Sequence, residues 1–90
     1  MYLARSEKFA LMVIDGEAMV IDDQAHITRI GDVSFRIWQL LDTPKPRAAL
    51  LETLGTEYWV DGDECERLVS PVLGGMLRRG LLLEWSPEPQ

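Results

Sequence analysis

The stretch Lys8 to Ile21, KFALMVIDGEAMVI, decides how this chain begins to fold. Two apolar, partly β-branched runs, Lys8–Ile14 and Glu17–Ile21, flank Asp15-Gly16. A two-residue turn of type I′ needs positive φ at both central positions, which Asp tolerates and Gly adopts freely, so the pair predicts a tight hairpin. Asp22-Asp23-Gln24 then breaks the pattern with turn formers, and Ala25–Ile30 resumes as a third short strand. Its alternation puts His26, Thr28 and Ile30 on one face and Ala25, Ile27 and Arg29 on the other. This strand is more polar than the first two, which suits a sheet edge, where one row of N–H and C=O groups has no neighbour.

After Gly31-Asp32 the period changes. Val33, Ile37, Leu40 and Leu41 recur at helical spacing with Trp38 beside them, and Asp32 is placed to cap the first free N–H groups of a helix ending near Asp42. Thr43-Pro44-Lys45-Pro46 is a connector, since Pro44 disfavours helical geometry at Thr43 while Pro46 suits the first position of a second helix. That helix is expected over Pro46 to Leu54, burying Leu50, Leu51 and Leu54, with Gly55 as its C-cap. Asp61 marks the start of a third helix, with Asp63 and Glu64 in the first turn, where the helix dipole favours negative charge. At about 100° per residue, Cys65, Val69, Val72 and Met76 form a narrow stripe flanked by Leu68, Leu73 and Leu77. Pro71 falls inside this stretch, where it removes a hydrogen bond at a cost of roughly 3 kcal/mol, so a kink or a restart capped by Ser70 is expected. Gly74-Gly75 weakens the following turn, and Gly80 reads as a stop before a short apolar segment, Leu81–Trp85.

The order of these elements predicts an α+β, winged-helix-like fold: a three-stranded antiparallel sheet followed by three helices. Ninety residues suffice for one core, giving a single domain over residues 1–85 and a frayed tail over 86–90. Fifteen acidic against nine basic side chains leave a net charge of −6, which disfavours nucleic acid as a partner. The longest apolar runs, Phe9–Ile14 and Leu81–Leu83, are too short to span a bilayer, and the beginning of the chain does not read as a signal peptide. A single cysteine excludes an intrachain disulfide or a thiolate zinc site and suits a reducing cytoplasm.

One His and one Cys also narrow the chemistry. A nucleophile needs a base, and only His26 and Cys65 are available for that pairing. Cys65 lies in an apolar stripe, where a cysteine serves as a small hydrophobe, and Glu64 and Glu66 disfavour its thiolate while the nearby helix start favours it. The acidic cluster Asp61, Asp63, Glu64, Glu66 lacks the alternating spacing, central Gly and distal Glu of a calcium loop, so a turn and helix start explain it. No metal or cofactor is expected. A DNA-reading third helix would offer Arg, Lys, Asn or Gln to base edges, whereas this one opens with carboxylates. The apolar arc of the third helix, beside an edge strand, describes a groove for an extended peptide added as a further strand. A core that uses the whole arc describes it equally well.

Four segments in this order carry a family resemblance: Gly16-Glu17-Ala18-Met19-Val20-Ile21-Asp22; His26-Ile27-Thr28-Arg29-Ile30; Arg36-Ile37-Trp38-Gln39-Leu40-Leu41-Asp42; and Leu77-Arg78-Arg79-Gly80-Leu81-Leu82. Together they resemble the PqqD-like family, small recognition elements for ribosomally made and post-translationally modified peptides, over roughly Phe9 to Trp85. The resemblance implies a non-catalytic domain that binds the leader segment of a precursor peptide as a strand along Ala25, His26, Ile27, Thr28, Arg29 and Ile30. The third helix would supply the groove wall through Cys65, Leu68, Val69 and Val72. It further implies delivery to a processing enzyme: a leader peptidase, as in lasso-peptide pathways, is favoured over a radical SAM enzyme, as in pyrroloquinoline quinone synthesis. The chain departs from the family at Ile27-Thr28 and Ile30-Gly31, where an aromatic pair and Leu-Asn are common, and at Pro71. A winged-helix regulator and a small enzyme using His26 or Cys65 are the readings from other classes.

Overall fold

A computed structural model describes residues 1–85; the tail expected over 86–90 lies outside them. Among the described residues the chain forms β1 (Tyr2–Arg5), β2 (Phe9–Ile14), β3 (Glu17–Asp22), β4 (Ile27–Arg29), α1 (Asp32–Leu40), β5 (Lys45–Pro46), α2 (Arg47–Tyr58), α3 (Gly62–Arg78) and β6 (Leu82–Trp85). The α+β reading holds, with the three-stranded antiparallel sheet β2-β3-β4 and three helices. Asp15 and Gly16 turn the β2-β3 hairpin with φ of 52° and 80°, the two positive values a type I′ turn requires.

The third strand is shorter than its sequence pattern. Asp22 Oδ1 accepts hydrogen bonds from the amides of Gln24 and His26, and the Ala25 amide donates to the Asp22 carbonyl. This coils the chain back and forces Ala25 to φ 66°, so Ala25 and His26 belong to the turn and β4 is confined to Ile27–Arg29. Pairing of Val20 with Thr28, and the Ile30 amide bond to Ala18, put Thr28 and Ile30 on the side of the sheet where Ala18 and Val20 are buried. Ile27, 55% exposed, and Arg29 lie on the outer side with Met19 and Ile21.

A second sheet, β5-β1-β6, was not legible in the sequence. Tyr2–Arg5 pairs antiparallel with Leu82–Trp85, which turns the last apolar segment into a strand, and Tyr2 meets Trp85 edge-on at 5.6 Å. Its strands are only two to four residues long, and their pairing joins distant parts of the chain. Arg5 ties this sheet to α1, which has no basic residue in its last turn. Its Nε donates to the Trp38 carbonyl at 2.7 Å, with the guanidinium 5.3 Å from the Trp38 ring centre. The cation thus answers the negative end of the helix and its free carbonyls.

Four helix features differ from the sequence reading. Pro46, expected to open α2, instead ends β5 and holds the capping position before Arg47. Asp32 is the first residue of α1, and the capping position belongs to Gly31. Gly55 does not end α2: it is buried within it, where a Cβ would meet the Val60 carbonyl at 3.3 Å and Cys65 at 3.8 Å. The glycine serves close helix packing, and the helix ends instead at Trp59, left-handed at φ 59°, with the Val60 amide bonded to the Gly55 carbonyl. Pro71 neither breaks α3 nor restarts it at Ser70; the helix runs through from Gly62 to Arg78. Pro71 and Arg67 both lie on the exposed side, where water replaces the lost amide partner of the Arg67 carbonyl. Asp61 caps α3 by accepting from the Glu64 amide at 2.8 Å, and Gly80, at φ 77°, closes it with the Leu81 amide bonded to the Met76 carbonyl.

One cluster forms the core. Cys65, Val69, Leu73 and Met76 of α3 meet Ile37 and Trp38 of α1, Leu50 and Leu54 of α2, and Val20, Leu3 and Leu82 from the sheets. Arg36 clasps Glu57 through two hydrogen bonds of 2.8 and 2.6 Å, tying α1 to the last turn of α2. Because Pro71 spoils one exposed turn and touches no buried partner, Pro71→Ala is expected to raise stability by about 1–3 kcal/mol. Thermal unfolding checks this, and an unchanged or lower Tm contradicts it.

Candidate peptide-binding site

The alternation of an antiparallel ladder determines what β4 presents at its free edge. The Asp22 amide bonds to the His26 carbonyl and the Ile30 amide to the Ala18 carbonyl, so the backbone groups of His26, Thr28 and Ile30 face β3. Those of Ile27 and Arg29 face away. β4 is terminal in its sheet, which leaves two N–H and two C=O groups pointing outward along it. Of the six positions expected to form the docking strand, these two alone offer main-chain partners in a regular strand. Ala25 is in the left-handed region, and the His26 amide is held by Asp22.

On α3 the four expected residues separate. Cys65 and Val69 are 1% and 4% exposed and belong to the core, Val72 is half-buried against it, and Leu68 is 56% exposed. Cys65, Leu68 and Val69 nevertheless share the wall of an apolar cavity of about 360 Å³ with Val33, Tyr58 and Val60. The last three come from the first turn of α1, the end of α2 and the turn after it, and sequence periodicity along α3 contained no signal for them. Trp59, 91% exposed, stands next to Tyr58 and Val60 in the chain. A second, smaller cavity of about 170 Å³ joins Thr28 to Phe9, Asp22, Arg79 and Leu81. The two cavities lie at different levels of α3: Thr28 is by its C-terminal end, and Val33, in the first turn of α1, is by its N-terminal half.

His26 and Cys65 each have a partner other than one another. His26 Nδ1 lies 3.1 Å from Asp22 Oδ2, whereas the buried Cys65 thiol donates to the Leu51 carbonyl at 3.3 Å. Burial, and then the nearby Glu66 charge, push the Cys65 thiol above its ordinary value of 9.0. Among the described residues no three His, Cys, Asp or Glu side chains gather as a metal site, and no helix is long and apolar enough to cross a membrane. The acidic cluster is occupied structurally: Asp61 caps α3, Glu64 pairs with Arg67, and Glu66 pairs with Arg47.

With this geometry in hand, the chain can be set beside known proteins. The family model for coenzyme PQQ synthesis protein D (PqqD) matches residues 17–82. The chain belongs to the PqqD family. No curated protein matches it. Among solved structures it is similar to TbiB1 in complex with the TbiA(beta) leader peptide, at 24% identity and a TM-score of 0.74, over 92% of this chain and 98% of that one. It is also similar to the PqqD truncation of Methylobacterium extorquens PqqCD, a stand-alone recognition element for ribosomally synthesized and post-translationally modified peptides solved by NMR. There the identity is 15% and the TM-score 0.73, over 92% of this chain and 89% of that one. Both share the fold of this PqqD family member.

Two outcomes follow for the titratable groups. The Cys65 thiol should react with an alkylating or disulfide reagent only as fast as the domain opens, and at once in denaturant; rapid labelling of the folded protein contradicts its placement. The amide of His26 first, outweighing desolvation, and then the Gln24 amide and the His26 ring, hold the Asp22 carboxyl below its usual value of 3.8. Because the folded value lies below the unfolded one, the turn's stabilisation is complete above about pH 3.9 and is lost as pH falls through the lower folded value. An NMR titration should give Asp22 a midpoint below 3.8, shared by the Gln24 and His26 amide shifts.

Proposed function

We propose that this PqqD family member captures the leader segment of a ribosomally made precursor peptide as an added strand on β4, beside α3, and presents the precursor to a processing enzyme. The observation that carries this reading is the open edge of β4, with the Ile27 and Arg29 backbone facing outward, in a fold whose third helix places exposed Leu68 at an apolar cavity. It is supported by the fold shared with TbiB1, a protein solved with a leader peptide bound. On this reading the peptide follows Ala25–Ile30 and bonds to Ile27 and Arg29. Its side chains meet Leu68 and Val72, with Cys65 and Val69 forming the floor.

The domain itself makes or breaks no bond. It contributes by holding the precursor close to the enzyme, where tethering raises the effective concentration of the reacting segment. The partner favoured here is a leader peptidase of the lasso-peptide kind, acting in the cytoplasm. The family match supports a second route, delivery to a radical SAM enzyme in quinone synthesis; both share the capture step and differ in which enzyme co-purifies with the peptide-loaded domain.

The test uses synthetic leader peptides of short precursors encoded near its gene. On binding, amide exchange at Ile27 and Arg29 should slow strongly, while Thr28 and Ile30, already bonded to β3, should change little. Leu68→Asp, at an exposed position that tolerates a charge, should weaken binding by at least about tenfold in a folded protein, as expected for an apolar side chain losing roughly 1.5 kcal/mol or more of burial. Unchanged exchange at Ile27 and Arg29 in a peptide-saturated sample would overturn strand addition at this edge.

A further inference from the structure

Among the described residues, most cations of this acidic chain are accounted for. Arg29, Arg36, Lys45, Arg47 and Arg67 each pair with a carboxylate, and Arg5 lies on the carbonyls of Trp38 and Gln39. Arg78 folds back over its own helix, its guanidinium occupying the space that a Cβ on Gly74 would approach to 3.3 Å. Arg79 is different. It is exposed, forms no ion pair among the described residues, and reaches the small cavity beside Thr28. Asp22 lines the same cavity, but its carboxylate is already engaged by the Gln24 and His26 amides and the His26 ring. The dipole of α3 explains a cation at its C-terminal end; it does not explain one directed against the edge strand.

Thr28 lies on the helix-facing side of the sheet, so a strand added to β4 puts the residue opposite Thr28 on that same side, with its Cβ about 5 Å from that of Thr28. We infer that Arg79 is a specificity-determining residue that takes an Asp or Glu side chain of the bound peptide at the position paired with Thr28. This rests on the leader-capture reading and deepens it. A second anchor follows from the apolar cavity at Leu68. Arg79 and Leu68 lie about 16 Å apart along a helix. An extended peptide covers that in about five residues at about 3.3 Å each, and both side chains must face α3, which selects the even separations on either side. The peptide therefore carries a carboxylate and a bulky apolar residue about four or about six positions apart. In a molecule of net charge −6, such a carboxylate is repelled over much of the surface and attracted at Arg79, so the pair also fixes register.

The experiment measures fluorescence anisotropy of short labelled peptides of extended sequence, each carrying one Phe or Leu and a single Glu moved stepwise away from it, with Gln counterparts. The Glu peptide with a four- or six-residue separation, and none with an odd one, should bind about tenfold more tightly than its Gln counterpart, the gain of one charge-assisted pair. That preference should vanish in Arg79→Gln, persist in Arg78→Gln, recover in part in Arg79→Lys and fall with added salt. Peptides that bind while Glu and Gln are indistinguishable, or a preference that survives Arg79→Gln, would overturn the assignment of Arg79. Binding of none of the peptides by the unaltered protein would instead overturn the capture reading on which it rests.

Discussion

The packing of one stripe of α3 governs this molecule. Cys65, Val69, Leu73 and Met76 are all nearly inaccessible and meet buried residues of both other helices and both sheets in a single cluster. A chain of this length has no second core to fall back on. Helix α3 is therefore fixed in rotation, and whatever it offers to a ligand must come from the flank of the stripe. Leu68 and Val72 are that flank, and Gly55 lets α2 approach closely enough to seat Cys65 beneath them. The same constraint explains why Pro71 is tolerated: rotating α3 to bury its stripe turns Pro71 outward, where its missing N–H affects one solvated carbonyl and no packed neighbour.

Much of this was legible in the sequence because it depends on local chemistry. Asp15-Gly16 specifies its hairpin by backbone sterics alone, and Asp61 and Gly80 mark the ends of α3 by what their backbones and side chains can do. The edge character of the third strand also followed from its polar alternation. The sequence was misleading where a residue type has two uses. Gly55 looks like a helix stop and is a packing contact, while the stop is Trp59, a residue with no propensity for the left-handed region. Ala25 continues an alternating pattern, yet the Asp22 carboxylate, by accepting from the Gln24 and His26 amides, bends the chain before it. The sheet joining Tyr2–Arg5 to Leu82–Trp85 was hidden because its strands are short and their pairing is wholly nonlocal. Of the candidate site, the edge strand and Leu68 are named by sequence pattern; Val33, Tyr58, Val60 and Arg79 are not, since each approaches from another element.

On the strand-addition reading, an edge that receives peptides must also refuse copies of itself, and the short length of β4 suits both demands. It is three residues long, bounded by left-handed Ala25 on one side and by Ile30 and Gly31, which lead at once into α1, on the other. It presents four outward backbone groups, and at roughly 1 kcal/mol for each hydrogen bond these contribute a few kcal/mol. Association costs at least that much in lost translational and rotational freedom, so main-chain pairing alone does not hold a partner. A second copy brings only its own short edge and a net charge of −6, which opposes the approach. A peptide brings side chains as well, and burying one large apolar group contributes about 1.5–3 kcal/mol beyond the ladder. On that reading the edge sets direction and spacing for what binds, and the cavities on either end of α3 select which extended chain stays long enough to be used.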